Sequence, residues 1–204
     1  TSTASLQAYH YCMAGHSDQA VEKYLELSGK TVASLTKVAT ACIDDHLLQA
    51  EDFTTKGHLE ESAARIVLKI LYAARMGRPD IYWAVNTLAR EITKWNVACD
   101  KRLHRLICYI HHTKHFVQKC VVGDKIQDCS LALFVDASFA GDLTDSKSTT
   151  GAMLYVIGPR TMVPITWICK KQGAVSHSSS EAEIIALDAA VRMEGLPALQ
   201  LFDY

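Results

Sequence analysis

An aspartate stands in the middle of an apolar segment in LFVDASFAGD (133–142), with small residues and a second acid directly after it. An ionised carboxylate in a half-buried strand is costly unless something binds it, so Asp136 needs a partner. Strand alternation puts Phe134, Asp136 and Ser138 on one face and Leu133, Val135 and Ala137 on the other. A second acid lies in SSSEAEIIAL (178–187), which reads as a helix with a serine cap and Glu in its first turn. At about 100° per residue, Leu187, Val191, Ile184, Ala190 and Ala186 cluster on one arc. Glu183 falls within that arc, while Glu181 projects away beside Asp188. We therefore expect Glu183 to face the sheet that carries Asp136. Two close carboxylates repel and take up a proton unless a divalent cation sits between them. Oxygen-only ligation completed by water and phosphate is what Mg²⁺ prefers. Read one at a time, a turn-capping Asp136 and an ordinary helix-face Glu183 are the favoured readings; read together, the two favour the cation. Asp142, Asp145 and Asp188 are further acids of this segment, two in a loop and one beside Glu181, and are not assigned to the site.

A second chemistry is carried by charge. Between Glu91 and Lys125, seven bases (Lys94, Lys101, Arg102, Arg105, Lys114, Lys119 and Lys125) stand against three acids (Glu91, Asp100 and Asp124). Lys and Arg aligned along one element can track a polyanion, with Lys101, Arg102 and Arg105 as the phosphate-contacting candidates. A solvated helix face is the other reading of the same pattern. His104, His111, His112 and His115 add conditional positive charge, and the His111–His112 pair followed by His115, without an acidic or cysteine partner at ligand spacing, reads as surface histidines.

Several elements must position these residues. In HLEESAARIVLKILYAARM (58–76), Leu59, Ala63, Ile66, Val67, Ile70 and Ala74 recur at three- and four-residue steps, which predicts a helix closed by Gly77 in a left-handed conformation. Pro79 suits the first turn of the next helix, with Ile81, Ala84, Val85, Leu88 and Ile92 on its apolar face. Asn96 caps a third, striped by Leu103, Leu106, Ile107 and Ile110. Before residue 57 the pattern is weak: a helical AVEKYLELSG stopped by Gly29, then little else. From Ser130 the period changes to two. LALFVDASF, GAMLYVIG and VPITWICKK predict an antiparallel meander, and the following helix is expected to end at Gly195 and Pro197. The expected fold is α+β: an all-helical region before about residue 116, then three antiparallel strands and a helix. The divisions are 1–57, 58–116 and 117–204.

Composition narrows the class without naming it. The 204 residues are 49% hydrophobic and 21% charged with a net charge of −1, so overall charge favours neither nucleic acid nor membrane. No apolar run is long enough for a membrane span, and no basic segment followed by an apolar stretch opens the chain. Seven cysteines, odd in number and without a CxxC pair, read as free thiols in a reducing compartment, and a cytoplasmic or nuclear setting is expected.

The order RPDI (78–81), VDASFAGD (135–142), KSTTG (147–151), ITWICKKQ (165–172) and SSSEAE (178–183) closely resembles the C-terminal part of the polyprotein of Ty1/copia-type LTR retrotransposons, over roughly residues 58–204. There the end of the reverse transcriptase is followed by a ribonuclease H domain. The resemblance implies that Asp136 and Glu183 are the first two of four acids that hold two Mg²⁺ ions, that the basic helices are the connection between polymerase and nuclease, and that the partner is an RNA·DNA hybrid. This chain has Ser138 and Phe139 where the family usually has a second Asp and a Trp. The family continues with a further strand and two more acids beyond the helix. The sequence given stops at Tyr204, so Mg²⁺ binding is expected to be weak or absent and the isolated chain inactive. No adjacent aspartate pair in a hairpin context marks a polymerase site; Asp44 and Asp45 lie in the weakly patterned segment. A non-catalytic subunit of a larger assembly, its open sheet edge covered by a protein partner, is the alternative.

Overall fold

In the computed structural model, residues 5–141 and 145–202 are described. The chain divides into a helical unit, Tyr11–Gln118, and a sheet unit comprising the residues before Tyr11 and those from Lys119 onward.

The helical unit grows from the stripes the sequence shows. It contains α1 (Ala14–Ser28), α2 (Ala50–Thr54), α3 (Ala63–Met76), α4 (Tyr82–Arg90) and α5 (Val97–Thr113). Ile66, Val67, Ile70 and Ala74 of α3, Val85 and Leu88 of α4, and Leu103, Leu106, Ile107 and Ile110 of α5 are buried together in one core. Helix α1, followed by the irregular 30–45 segment, joins that core through Ala20, Val21, Tyr24, Leu35 and Ala41. Gly29 closes α1 at φ +66°, a left-handed turn that glycine makes without strain. The Asn96 side chain accepts a hydrogen bond from the Cys99 N–H at 3.0 Å and caps α5. Gly77 departs from expectation: its φ is −174°, so α3 ends on extended backbone, with the Gly77 and Arg78 N–H groups both donating to the Ala73 carbonyl. A Cβ at Gly77 would stand 3.4 Å from Met13 Cγ and 3.6 Å from Tyr11 Cβ.

Five strands form one sheet of order β1-β2-β5-β4-β3: β1 (Gln7–Cys12), β2 (Val117–Val122), β3 (Ser130–Ser138), β4 (Thr149–Gly158) and β5 (Thr161–Lys171). The expected meander is present, with β4 antiparallel to both β3 and β5, and β2 joins antiparallel through Val121 and Met162. The expectation that everything before about residue 116 is helical fails at β1. All six of its residues are exposed, so it buries no face and leaves no alternation to read in the sequence. β3 is an end strand of the sheet, paired on one side through nine residues in unbroken register.

Ser178 caps α6 (Ser179–Ala190) by accepting from the Glu181 N–H at 3.1 Å. The helix does not stop at Gly195. Val191–Gly195 form a π turn, the Leu196 N–H reaches back five residues to the Val191 carbonyl, and α7 (Leu196–Phe202) follows. Pro197 has no N–H to donate to the preceding turn, and the π turn falls directly ahead of it.

Candidate functional site

Strand β3 delivers Asp136 to an open surface. Cross-strand partners share a face, so Asp136, Gly151 and Cys169 form one row across β3, β4 and β5. Phe134, Met153 and Trp167 form the row on one side, and Ser138, Thr149 and Lys171 the row on the other. Phe134, Asp136 and Ser138 are exposed, whereas Leu133, Val135 and Ala137 are half-buried. The Phe134 ring meets Tyr155 edge-on at 5.7 Å. Asp142 lies outside the described residues. Asp145 pairs with Lys171 at 2.8 Å, and Asp188 with Arg192 at 2.8 Å.

Glu183 is carried by a helix that packs differently from its apolar pattern. The arc of Leu187, Val191, Ile184, Ala190 and Ala186 was expected to meet the sheet. Its alanines do: Ala186 and Ala190, with Ala182, are fully buried, while Ile184 is 68% and Leu187 52% exposed. Small side chains bring the helix axis close to the strands, and the bulky residues turn outward. Glu183 is half-buried at the flank of the alanine stripe. Helix α6 covers the face of Leu133 and Thr150: Gln172 bridges Thr150 to the Ala182 carbonyl, and Gly195 approaches Leu133. By alternation Asp136 belongs to the other face. Glu181 has a local role, since its carboxylate accepts from the His177 N–H at 2.7 Å just ahead of the helix. Among the described residues, no three His, Cys, Asp or Glu side chains come together to hold a metal ion. Asp136 and Glu183 by themselves are too small a donor set for two Mg²⁺ ions.

The polar motif residues around α6 form a cluster that the sequence did not reveal. Gln172 is buried; its amide donates to Thr150 Oγ1 (3.2 Å) and to the Ala182 carbonyl (2.9 Å), and accepts from Ser176 Oγ (3.1 Å). Buried Ser148 accepts from the Ala140 N–H at 3.1 Å. These bonds satisfy groups that would otherwise be stranded in the interior, and they fix the first turns of α6 on β4. Such polar residues, spaced irregularly, carry no periodic signal.

On α5, Lys101, Arg102 and Arg105 lie on one stretch of helix, and each is engaged within the helical unit. Lys101 Nζ meets Asp52 at 2.5 Å and holds its carboxyl below the usual range. Arg102 pairs with Asp45 at 2.7 Å and stacks over the Phe53 ring at 5.6 Å. Arg105 donates to the Thr40 carbonyl and hydroxyl, both at 3.0 Å. Together they strap the 40–54 segment onto α5. Asp100, one of the three acids, accepts from the His58 and Leu59 N–H groups and from Trp95 Nε1. His104 is turned inward, Nδ1 2.8 Å from Tyr24 Oη and Nε2 3.6 Å from Cys108 Sγ. Burial, then nearby Lys30, pushes its pKa down, and burial pushes Tyr24 up to about 12.

Among the described residues Arg78 is the most buried charge, 2% exposed. Its Nε and Nη2 donate to the two Asp80 carboxylate oxygens at 2.8 Å each, Nη1 to the Thr113 carbonyl at 3.1 Å and Nη2 to Thr113 Oγ1 at 2.8 Å. The RPDI motif thus ties the α3–α4 junction to the last turn of α5.

No family model matches the chain, and no solved structure matches it. Among curated proteins it is 29% identical over 141 residues to a putative Ty5-1 transposon protein of Saccharomyces cerevisiae, covering 68% of this chain and 44% of that protein. It is 37% identical over 109 residues to the retrovirus-related Pol polyprotein from transposon RE1 of Arabidopsis thaliana, covering 52% of this chain and 7% of the polyprotein. It is also 28% identical over 123 residues to secreted RxLR effector protein 161 of Plasmopara viticola, covering 60% of this chain and 82% of the effector. The chain therefore spans under half the length of the transposon relatives it matches, and its similarity supports a retrotransposon polyprotein as its source.

Proposed function

We propose that this chain is a fragment of a retrotransposon polyprotein that spans the end of a reverse transcriptase and the first part of a ribonuclease H domain. The parent hydrolyses the RNA strand of RNA·DNA hybrids with two Mg²⁺ ions, and the isolated chain does not. The observation that carries the reading is the similarity to transposon polyproteins. By the resemblance Asp136 and Glu183 are two of the acids such a centre uses, although the sheet sets Asp136 on the face away from α6, and Lys101, Arg102 and Arg105 would supply positive charge for the hybrid backbone on release from Asp52, Asp45 and Thr40. Two carboxylates cannot fix a second metal, so neither the activated water nor the leaving oxygen is provided for.

The test is hydrolysis of an RNA·DNA hybrid in Mg²⁺. The 204-residue chain is expected to show none, and a version extended through a further strand and its acids is expected to gain activity. In that version Asp136→Asn should abolish turnover, because an amide keeps the shape and removes the charge. Glu183→Gln should cost far more than Glu181→Gln, whose carboxylate supports the helix start. Metal-dependent cleavage by the short chain that survives Asp136→Asn would overturn the proposal.

A second reading, a non-catalytic interaction protein of retroelement origin, is favoured by one observation: the matched region makes up 82% of a short secreted effector. In this reading a protein partner would add to the side of β3 that is unpaired among the described residues. Absence of any salt-dependent hybrid binding by the chain would favour this reading.

A further inference from the structure

Gly151 lies in β4, with β3 on one side and β5 on the other, in the row between Asp136 and Cys169. A glycine inside a strand weakens it, and usually marks a bulge, an unusual backbone or a crowded contact. None of the three applies. Register runs unbroken from Thr149 to Leu154 against both neighbours, and the one irregularity falls after Leu154. The backbone at Gly151 is not left-handed; among the described glycines only Gly29 has positive φ. A Cβ built on Gly151 would meet just the Asp136 carbonyl oxygen, at 3.9 Å, an ordinary van der Waals distance. The fold therefore has room for a side chain that the sequence leaves out.

We propose that Gly151 is the floor of a trough that admits the sugar–phosphate backbone of a nucleic-acid strand beside Asp136. With strands about 4.8 Å apart and same-face residues about 6.8 Å apart along each strand, the bare position opens a space of roughly 10 Å between Asp136 and Cys169. Its walls differ in chemistry. Phe134, Met153 and Trp167 offer apolar and aromatic surface to a sugar or base, and Ser138 and Thr149 offer hydroxyl donors to phosphate oxygens beside Lys171, which is paired with Asp145. Any side chain at 151 would stand in the middle of this space. The inference rests on the nucleic-acid reading above and adds a positioning residue that contributes no functional group at all.

The test compares wild type, Gly151→Ala and Gly151→Val for thermal midpoint and for affinity to a fluorescently labelled RNA·DNA hybrid at fixed salt. Midpoints should stay unchanged or rise, because β-propensity improves and nothing is crowded. The valine variant should bind roughly tenfold more weakly and alanine should fall between. Equal affinity across the three proteins would overturn the inference while leaving the nucleic-acid reading intact. A lowered midpoint in the alanine variant would also overturn it, by revealing an internal reason for the glycine. If wild type itself does not bind hybrid, the reading beneath the inference fails and the inference with it.

Discussion

At the scale of single residues, Arg78 shows how a motif can be visible while its task is not. In the sequence RPDI is one motif of the resemblance, and nothing local gives Arg78 a task. In the fold it is buried, forked onto Asp80 and anchored on Thr113. A buried guanidinium cannot be exchanged for an ammonium of different shape, nor can its partner be left alone. Arg78→Ala is expected to cost about 3–5 kcal/mol and Arg78→Lys a large part of that, read as a lower urea midpoint at unchanged slope. A loss below about 1 kcal/mol for the alanine variant would show that the pair contributes little. Local signals were the legible ones: Gly29, Asn96 and Ser178 occupy the caps their types predict, because capping depends on a few neighbouring residues. The facing of Glu183 was not legible, because hydrophobicity ranks isoleucine above alanine and the interface selected for closeness instead.

At the scale of elements, the apolar stripes of α3, α4 and α5 and the alternation of β3, β4 and β5 were readable, since each buries a face. Strand β1 and the strap of residues 40–54 were not. The strap is held by pairs between distant parts of the chain, Lys101 with Asp52 and Arg102 with Asp45, which no local pattern records. These acids also compete with any phosphate for the same two cations. Asp45→Asn combined with Asp52→Asn should therefore tighten hybrid binding and steepen the dependence of log affinity on log salt by up to about 2. Affinity titrations between low and moderate salt measure this. An unchanged slope would mean that Lys101 and Arg102 do not meet the nucleic acid.

At the scale of the whole molecule, burial is uneven. The helical unit holds a large set of side chains fully withdrawn from water, including Tyr24, Ile66, Leu103 and Ile107. The sheet unit relies on Ala152, Leu154 and the alanines of α6. Buried apolar area sets local stability, so amide hydrogen exchange should be slowest in α3 and α5 and faster in β3 and α6. Equal protection in the two units would contradict this reading of the cores. Among the described residues the sheet ends in two strands, β1 and β3, each with one side unpaired, and the nine residues of β3 contain no proline or lysine to discourage a neighbour. In a polymer chemist's terms, two such open edges would make a bifunctional monomer. Joining at one end leaves the other reactive, so assembly through these strands would have no natural stopping point at two copies, and capping either end would convert a growing chain into a terminated one.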